Sequence, residues 1–402
     1  MRRKPLRILY LAYGSQSGVT AAVVERLTAA GHEVHVANPV KGFLYKRRVA
    51  GVQVPNAMPG PVLATAAAML HFRDRWRELY LHTCAAFDLL TARSATLVRR
   101  VRPDLVLQSG ALFGPGAPEV PYCLYVDHTR AISEAYSPAD GLGPPIPYDA
   151  AWRRREREVY RRATAIFSMS EHAERSLVED YGVAPERVHV VGAGPNVRPG
   201  GGALRDEREP AFLFVGKHFE VKGGREALAG FEEARAGHPG AELWMVGRDQ
   251  PASAPRGVKL LGPRSRDEVA RLYERASAFV LPSVREPFGL AFLEAMAFGL
   301  PCIGTRVEAI PEMIVDGVTG LVVPPRDAGA VARAMRTLLD DPARARRMGA
   351  AGHARLAERY GWERAVERML SVVAGTLAGR TADVAPRYGD GLRRMVPKSP
   401  AT

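Results

Sequence analysis

SVREPFGLAFLEAMAFGLPCIG, Ser283 to Gly304, contains a loop, a helix and the strand that follows it. Glu286 stands where an N-cap or first-turn acid belongs, and Pro287 suits the first helical position. Gly299 suits the residue beyond the end, and Pro301 prevents continuation. A helix from about Pro287 to Phe298 is therefore expected. It lies between two short apolar runs, Ala278–Leu281 and Pro301–Gly304, each of strand length. Strand, helix and strand in that order form the repeating unit of a parallel sheet covered by helices.

The same alternation extends through the chain in two series. The second contains Phe212–Val215, Glu242–Val246, Val258–Leu261, Ala278–Leu281, Pro301–Gly304 and Leu321–Val323. The first contains Arg7–Ala12, Glu33–Ala37, Asp104–Gln108, Tyr122–Val126, Ala165–Met169 and Val188–Val191. Helices are expected from about Val19 to Ala30, ending at Gly31, and from about Asp149 through the run RRREREVYRR. Between the two series lies PNVRPGGGALRDEREP, Pro195–Pro210, whose glycines, prolines and mixed charge hold no regular element. The reading is α/β, with two facing doubly wound domains and ligands bound in a cleft at the carboxyl ends of the strands. The boundaries are 1–197, a hinge at 198–210, a second domain at 211–380 whose last helix is free to pack back on the first, and a loose tail at 381–402.

Composition narrows the function. The 402 residues are 47% hydrophobic and 25% charged, an ordinary globular balance that excludes collagen, disorder and a small stapled scaffold. Formal charge is +13, with 26 basic and 18 acidic residues in the first 200, which favours an anionic partner. Cys84, Cys123 and Cys302 are far apart and form no CxxC pair, so neither a disulfide framework nor a zinc site is indicated, and a reducing cytosol is the simplest setting. The opening apolar stretch is too short for a secretory signal, and no run of about 18 apolar residues could span a bilayer. Any membrane contact would be peripheral, at an anionic inner face.

Two stretches carry chemistry. In the first, the N–H groups of Phe288, Gly289 and Leu290 lie at the expected helix start, open to a phosphate. Glu286 and Glu294 are eight residues apart, about 12 Å along a helix. That is wider than the carboxyl pairs of glycosidases, so the two are expected to hold different parts of an extended ligand, a sugar and a ribose. Glu294 sits in the apolar run LAFLEAMAF and needs polar partners, which a ligand could supply. In FLFVGKHFEVKGG, Phe212–Gly224, a strand ends at Gly216, and Lys217 and Lys222 follow before a helix beginning near Gly223. Two cations beside a helix N-terminus make a diphosphate clamp. The GxG at Gly192–Gly194 is no dinucleotide site, because Pro195 and the glycine-rich linker stand where its helix would begin. There is no D-x-D triplet, G-x-S-x-G or HExxH, and no metal or cofactor is expected.

Ser283–Pro325, SVREPFGLAFLEAMAFGLPCIGTRVEAIPEMIVDGVTGLVVPP, resembles the donor-binding signature of the retaining family-4 glycosyltransferases of GT-B fold, including the E-x7-E element at Glu286 and Glu294. SMSEHAERSLVEDYGVAPERVHVVGAGPNV, Ser168–Val197, resembles the end of that family's first domain, and FLFVGKHFEVKGG its phosphate-clamp loop. The resemblance implies that Glu286 binds sugar hydroxyls, Glu294 the ribose, Lys217 and Lys222 the diphosphate, and the N–H groups of Phe288 to Leu290 the sugar or phosphate. Lys217 stands where the family more often has arginine. His128, in YCLYVDHTRAISE, resembles the histidine facing the donor sugar, although a structural pair with Asp127 is an equal reading of the residues. Gly14 to Gly18 holds the place of the glycine-rich first loop, a candidate phosphate or acceptor contact. The implied activity is metal-independent, retaining transfer of a sugar from a UDP- or GDP-type donor to a hydroxyl acceptor. Alternatives are a GT-B nucleotide-sugar epimerase or a glycan phosphorylase. More distant is a basic nucleic-acid-binding protein, disfavoured because aromatics are only 7% and form no basic-aromatic stripe.

Overall fold

The computed structural model describes residues 5–13, 16–43, 45–49, 52–55, 58–136, 149–200 and 209–378. Contacts divide the chain into two units. The first comprises Met1–Ala135, Ile146–Val191 and Val366–Thr402, the second Tyr136–Pro145 and Gly192–Ala365. The helix Trp362–Leu377 crosses that division. The expected linker centre, within 201–208, and the tail from 379 lie outside the described residues.

In the first unit, β1 (Arg7–Leu11), β2 (Glu33–Ala37), β5 (Leu105–Ser109), β6 (Tyr122–Val126), β7 (Ala165–Ser168) and β8 (Val188–Val190) form one parallel sheet. The order is β2-β1-β5-β6-β7-β8. Every residue of β5, β6 and β7 is buried, which explains their near-continuous apolar composition, since helices cover both faces. The sheet carries a core that includes Leu9, Phe87, Leu90, Phe113, Leu124, Trp152 and Ile166. Two further strands, β3 (Tyr45–Val49) and β4 (Val52–Pro55), pair antiparallel as a separate hairpin, in a stretch where no strand was expected.

In the second unit, β9 (Ala211–Val215), β10 (Glu242–Val246), β11 (Val258–Gly262), β12 (Ala278–Leu281), β13 (Cys302–Thr305) and β14 (Gly320–Val323) form the second parallel sheet. Its order, β11-β10-β9-β12-β13-β14, reverses direction between β9 and β12, so the loops after those two strands open at the switch point where ligands bind. All twelve strands expected from the sequence are present within one residue at each end, and both sheets are wholly parallel. The helix expected from Val19 spans Val19–Ala29, with Gly31 left-handed at φ 89°. Asp149 caps Ala150–Arg162 by accepting the Trp152 N–H at 2.5 Å.

One element differs. The helix expected from Pro287 to Phe298 runs only Leu290–Ala297. Gly289, at φ 102°, occupies its N-cap, and that left-handed turn ends the loop three residues later than Pro287 implies. Glu286 is therefore in the loop and caps nothing, and the 12 Å separation reckoned along a helix does not apply to Glu286 and Glu294. At the other end, Gly299 is left-handed at φ 66°, as a terminating glycine should be.

Candidate functional site

The loops after β9 and β12 meet at the carboxyl edge of the second sheet. Gly223 makes the approach possible: its φ is 71°, and a Cβ there would lie 1.9 Å from the Pro282 carbonyl oxygen. The Val284 N–H then donates to the Val221 carbonyl at 2.9 Å, joining the loops. Through this junction Lys222 and Glu286, 64 positions apart in sequence, form an ion pair, Nζ to Oε2 at 2.8 Å. Their side chains are 17% and 9% exposed, so the pair is largely withdrawn from water. Lys222 also reaches the Arg285 carbonyl at 3.4 Å. The Ser283 hydroxyl donates to the same Glu286 oxygen at 3.2 Å, and Ser283 is itself held by Thr305, whose hydroxyl donates to its carbonyl at 2.5 Å.

A second carboxylate, not foreseen from the sequence, completes the cluster. Glu308 accepts the Glu286 backbone N–H at 2.5 Å, with its side chain 2% exposed. Arg285 lies 3.9 Å from its other oxygen and stacks its guanidinium 5.2 Å from the Tyr136 ring. Burial pushes the Glu308 carboxyl above the ordinary range, against the opposing pull of Arg285, the Glu286 N–H and the Tyr136 hydroxyl. Its backbone is left-handed at φ 42°, a conformation strained for a residue with a side chain. No local pattern reports that φ or the partner 22 positions away.

The remaining expected donor-site residues divide. Phe288, buried, and Gly289 precede the helix, while Leu290 opens it, so their N–H groups lie at or before its first turn. Lys217 is exposed, two residues beyond β9. Glu294 lies within the helix and meets a different set of groups. The Tyr273 hydroxyl donates to its Oε2 at 3.4 Å, and the backbone N–H groups of Asn196 and Val197 also face it. The polar partners that its apolar run demands thus come from this chain. Burial still raises its carboxyl to about 7, outweighing those donors.

In the first unit, His128 follows β6 at the carboxyl end of that sheet. Its Nε2 is 2.5 Å from the Ser133 hydroxyl, and Asp127 beside it is exposed. Thr129 turns the chain, capping the Ile132 N–H at 3.3 Å and meeting the Ser176 hydroxyl at 2.6 Å. Gly18 is left-handed at φ 95°, the N-cap of the helix Val19–Ala29, while Gly14 lies outside the described residues. Glu156, 3% exposed, accepts the Tyr181 hydroxyl at 2.7 Å, and burial raises its carboxyl to about 7. Among the described residues no group of three or more His, Cys, Asp or Glu side chains gathers as a metal site.

Residues 17–197 match the family described as Glycosyltransferase Family 4, and residues 209–341 that described as Glycosyl transferases group 1. A D-inositol 3-phosphate glycosyltransferase of Acidothermus cellulolyticus is 30% identical over 421 aligned positions, covering 94% of this chain and 90% of that protein. A glycogen synthase of Mycobacterium tuberculosis is 33% identical over 209 positions, 49% of this chain and 48% of the relative, so the chain spans about half the length of that protein. Among solved structures, a sucrose-phosphate synthase of Thermosynechococcus elongatus superposes with TM-score 0.69 at 20% identity, covering 93% of this chain and all of that one. Anabaena HepE in complex with UDP and glucose superposes with TM-score 0.61 at 13% identity, over 92% of this chain and 99% of the other. At those identities the likeness is one of fold.

Proposed function

Because this chain belongs to the family-4 glycosyltransferases of GT-B fold, we propose that it transfers a sugar from a nucleoside diphosphate sugar to a hydroxyl acceptor. The observation that carries the reading is the Lys222–Glu286 pair beside the open helix start at Leu290. A bound diphosphate would lie against the Lys222 ammonium, the exposed Lys217 and the first N–H groups of that helix. Charge builds on the diphosphate as the glycosidic bond breaks, and fixed cations and dipoles aimed at it lower the barrier without reorganising. Glu286, released from part of its bond to Lys222, would accept sugar hydroxyls. Glu294 would hold the ribose, exchanging its long bond from Tyr273 for a ribose hydroxyl.

In this proposal the donor carries UDP or GDP, the transfer is of a hexose with retention, and no metal takes part. Retention fits a site that offers no carboxylate placed as a nucleophile: Glu286 is paired and Glu308 is turned to a backbone N–H. The acceptor hydroxyl would then meet the leaving phosphate on one face of the sugar. The HepE structure, which holds UDP and glucose, supports a donor of this class, and the inositol-phosphate relative supports a polyol acceptor.

The test is calorimetric titration of wild type, Lys222→Ala and Glu294→Ala with UDP-, GDP- and ADP-sugars in chelator. One donor should bind wild type and weaken in both variants. Absence of binding by every donor, or equal binding by all three proteins, contradicts the assignment. A donor consumed without acceptor, or a glycan cleaved by phosphate, would identify the epimerase or phosphorylase alternative instead.

A further inference from the structure

The short helix Arg130–Glu134 follows His128 and its cap Thr129, and belongs to the first unit. Five residues are too few for a helix to hold itself in water, and of them only Ile132 is buried. Its place is therefore set by what meets the open N–H groups at its start. Each of the first three has a side-chain partner. The Arg130 N–H donates to the Glu156 carboxylate. The Ala131 N–H donates to the Tyr181 hydroxyl at 3.1 Å, and the Ile132 N–H to the Thr129 hydroxyl.

These partners are themselves fixed, and all are buried. Glu156, on the helix Ala150–Arg162, also accepts the Tyr181 hydroxyl, so carboxylate and phenol share one hydrogen bond and each receives one backbone N–H. The Tyr181 ring is held edge-on by Tyr160, with centroids 4.8 Å apart at 71°. The Ser176 hydroxyl gives its proton to Asp180 at 2.6 Å. The Thr129 hydroxyl therefore donates to Ser176 and keeps a lone pair for the Ile132 N–H. A carboxylate inside the fold costs free energy that an apolar contact would not, and what this one gives in return is a fixed backbone at Arg130 and Ala131.

That brace presents one hydroxyl. Ser133 stands one turn into the helix, its N–H donating to the Thr129 carbonyl at 3.3 Å and its hydroxyl meeting His128 Nε2. His128 itself lies past the carboxyl end of β6, the edge at which sheets of this class bind ligands. A hydrogen bond at one ring nitrogen sets how a histidine is turned toward a ligand. We infer that Ser133 is a positioning residue for His128, and that Glu156 and Tyr181 act through it by fixing the helix on which it stands. The inference rests on the transferase reading above, with His128 acting on the sugar, and none of the three positioning residues is assigned a contact with substrate.

The experiment compares Ser133→Ala, Ser133→Thr and Tyr181→Phe with Ile166→Val, a control that weakens the same core without touching the brace. The ring resonances of His128, assigned by their loss in His128→Ala, are followed by NMR on the full chain. Turnover is read as release of nucleoside diphosphate from the donor that the titration panel identifies, with water as acceptor. Ser133→Ala and Tyr181→Phe should both displace the His128 signals, and Ser133→Thr, which restores the hydroxyl, should return them toward wild type. Turnover should fall about tenfold or more in Ser133→Ala while donor affinity stays within about threefold, since a misplaced reacting group costs rate before it costs binding. Ser133 is only half-buried, so that variant should keep the wild-type unfolding midpoint. Ile166→Val should lower the midpoint and leave both readouts unchanged. Unmoved His128 signals in Ser133→Ala and Tyr181→Phe would overturn the inference, as would equal displacement in Ile166→Val, or wild-type turnover in Ser133→Ala beside a crippled His128→Ala. Full turnover in His128→Ala would instead refute the role of His128 on which the inference rests, and absence of any donor binding would refute the transferase reading.

Discussion

Replacing Lys222 by methionine keeps most of the apolar stem and removes the charge that faces Glu286. The Glu286 carboxylate would then remain largely buried, with the Ser283 hydroxyl at 3.2 Å as its side-chain donor. Two unit charges about 4 Å apart attract by about 4 kcal/mol at the effective dielectric near a protein surface. Breaking a buried pair by removing one partner costs about 3–5 kcal/mol, because the other charge remains desolvated. With Lys222 17% exposed, water can enter the space, which places Lys222→Met near the lower end, at about 3 kcal/mol. Glu286→Gln should cost less, about 1 kcal/mol, since the lysine keeps the amide oxygen and the Arg285 carbonyl as partners. The double variant buries no charge and should cost less than Lys222→Met alone. Urea unfolding followed by tryptophan fluorescence measures all three, with Trp244 and Trp362 reporting the second unit. Additive costs, or a Lys222→Met cost below about 1 kcal/mol, would refute the argument that this is a desolvated, coupled pair.

Two other variants test neighbouring claims. Glu308→Gly relieves a left-handed φ of 42° and removes a buried carboxylate, so the unfolding midpoint should hold or rise while donor-sugar affinity falls, because Glu286 loses the acceptor on its N–H. A lower midpoint with unchanged affinity would make Glu308 purely structural. Glu294, raised to about 7, binds a proton in the folded state that the unfolded chain releases near pH 4.5, so its contribution destabilises progressively as pH rises from about 4.5 to 7 and then levels off. Glu294→Gln should therefore remove part of the fall in thermal midpoint across that window; an unchanged slope would contradict the raised carboxyl.

What the sequence displayed was mostly local. Buried parallel strands such as Leu105–Ser109 and Tyr122–Val126 show as short apolar runs, and caps such as Asp149 and Gly31 show as single residues, because the chemistry that fixes them lies within a few positions. The start of the helix at Leu290 was misplaced because Pro287 suits a first turn equally well, whereas the left-handed Gly289 that decides the matter is a backbone state with no separate letter. The hairpin Tyr45–Pro55 escaped because its strands are short, the first is basic, and the pair forms a sheet of its own. Glu308 escaped for a third reason: its partners Glu286, Arg285 and Tyr136 are remote in sequence and converge only when β12, β13 and the loops after them are assembled. The residue types at Lys222 and Glu286 were legible as binding groups, but their pairing with one another depends on the close approach at Gly223.

The central claim is that one end of this site reads the diphosphate and the other reads the sugar. The most direct measurement is the affinity of Glu286→Gln, against wild type, for the nucleoside diphosphate sugar identified by the donor panel and for the same nucleoside diphosphate without its sugar. Losing a charge-assisted bond to a sugar hydroxyl should weaken the sugar-bearing donor by about tenfold or more, while the bare diphosphate binds as before or tighter, since Lys222 no longer faces a carboxylate. Equal weakening of both ligands, or no change in either, would contradict the account.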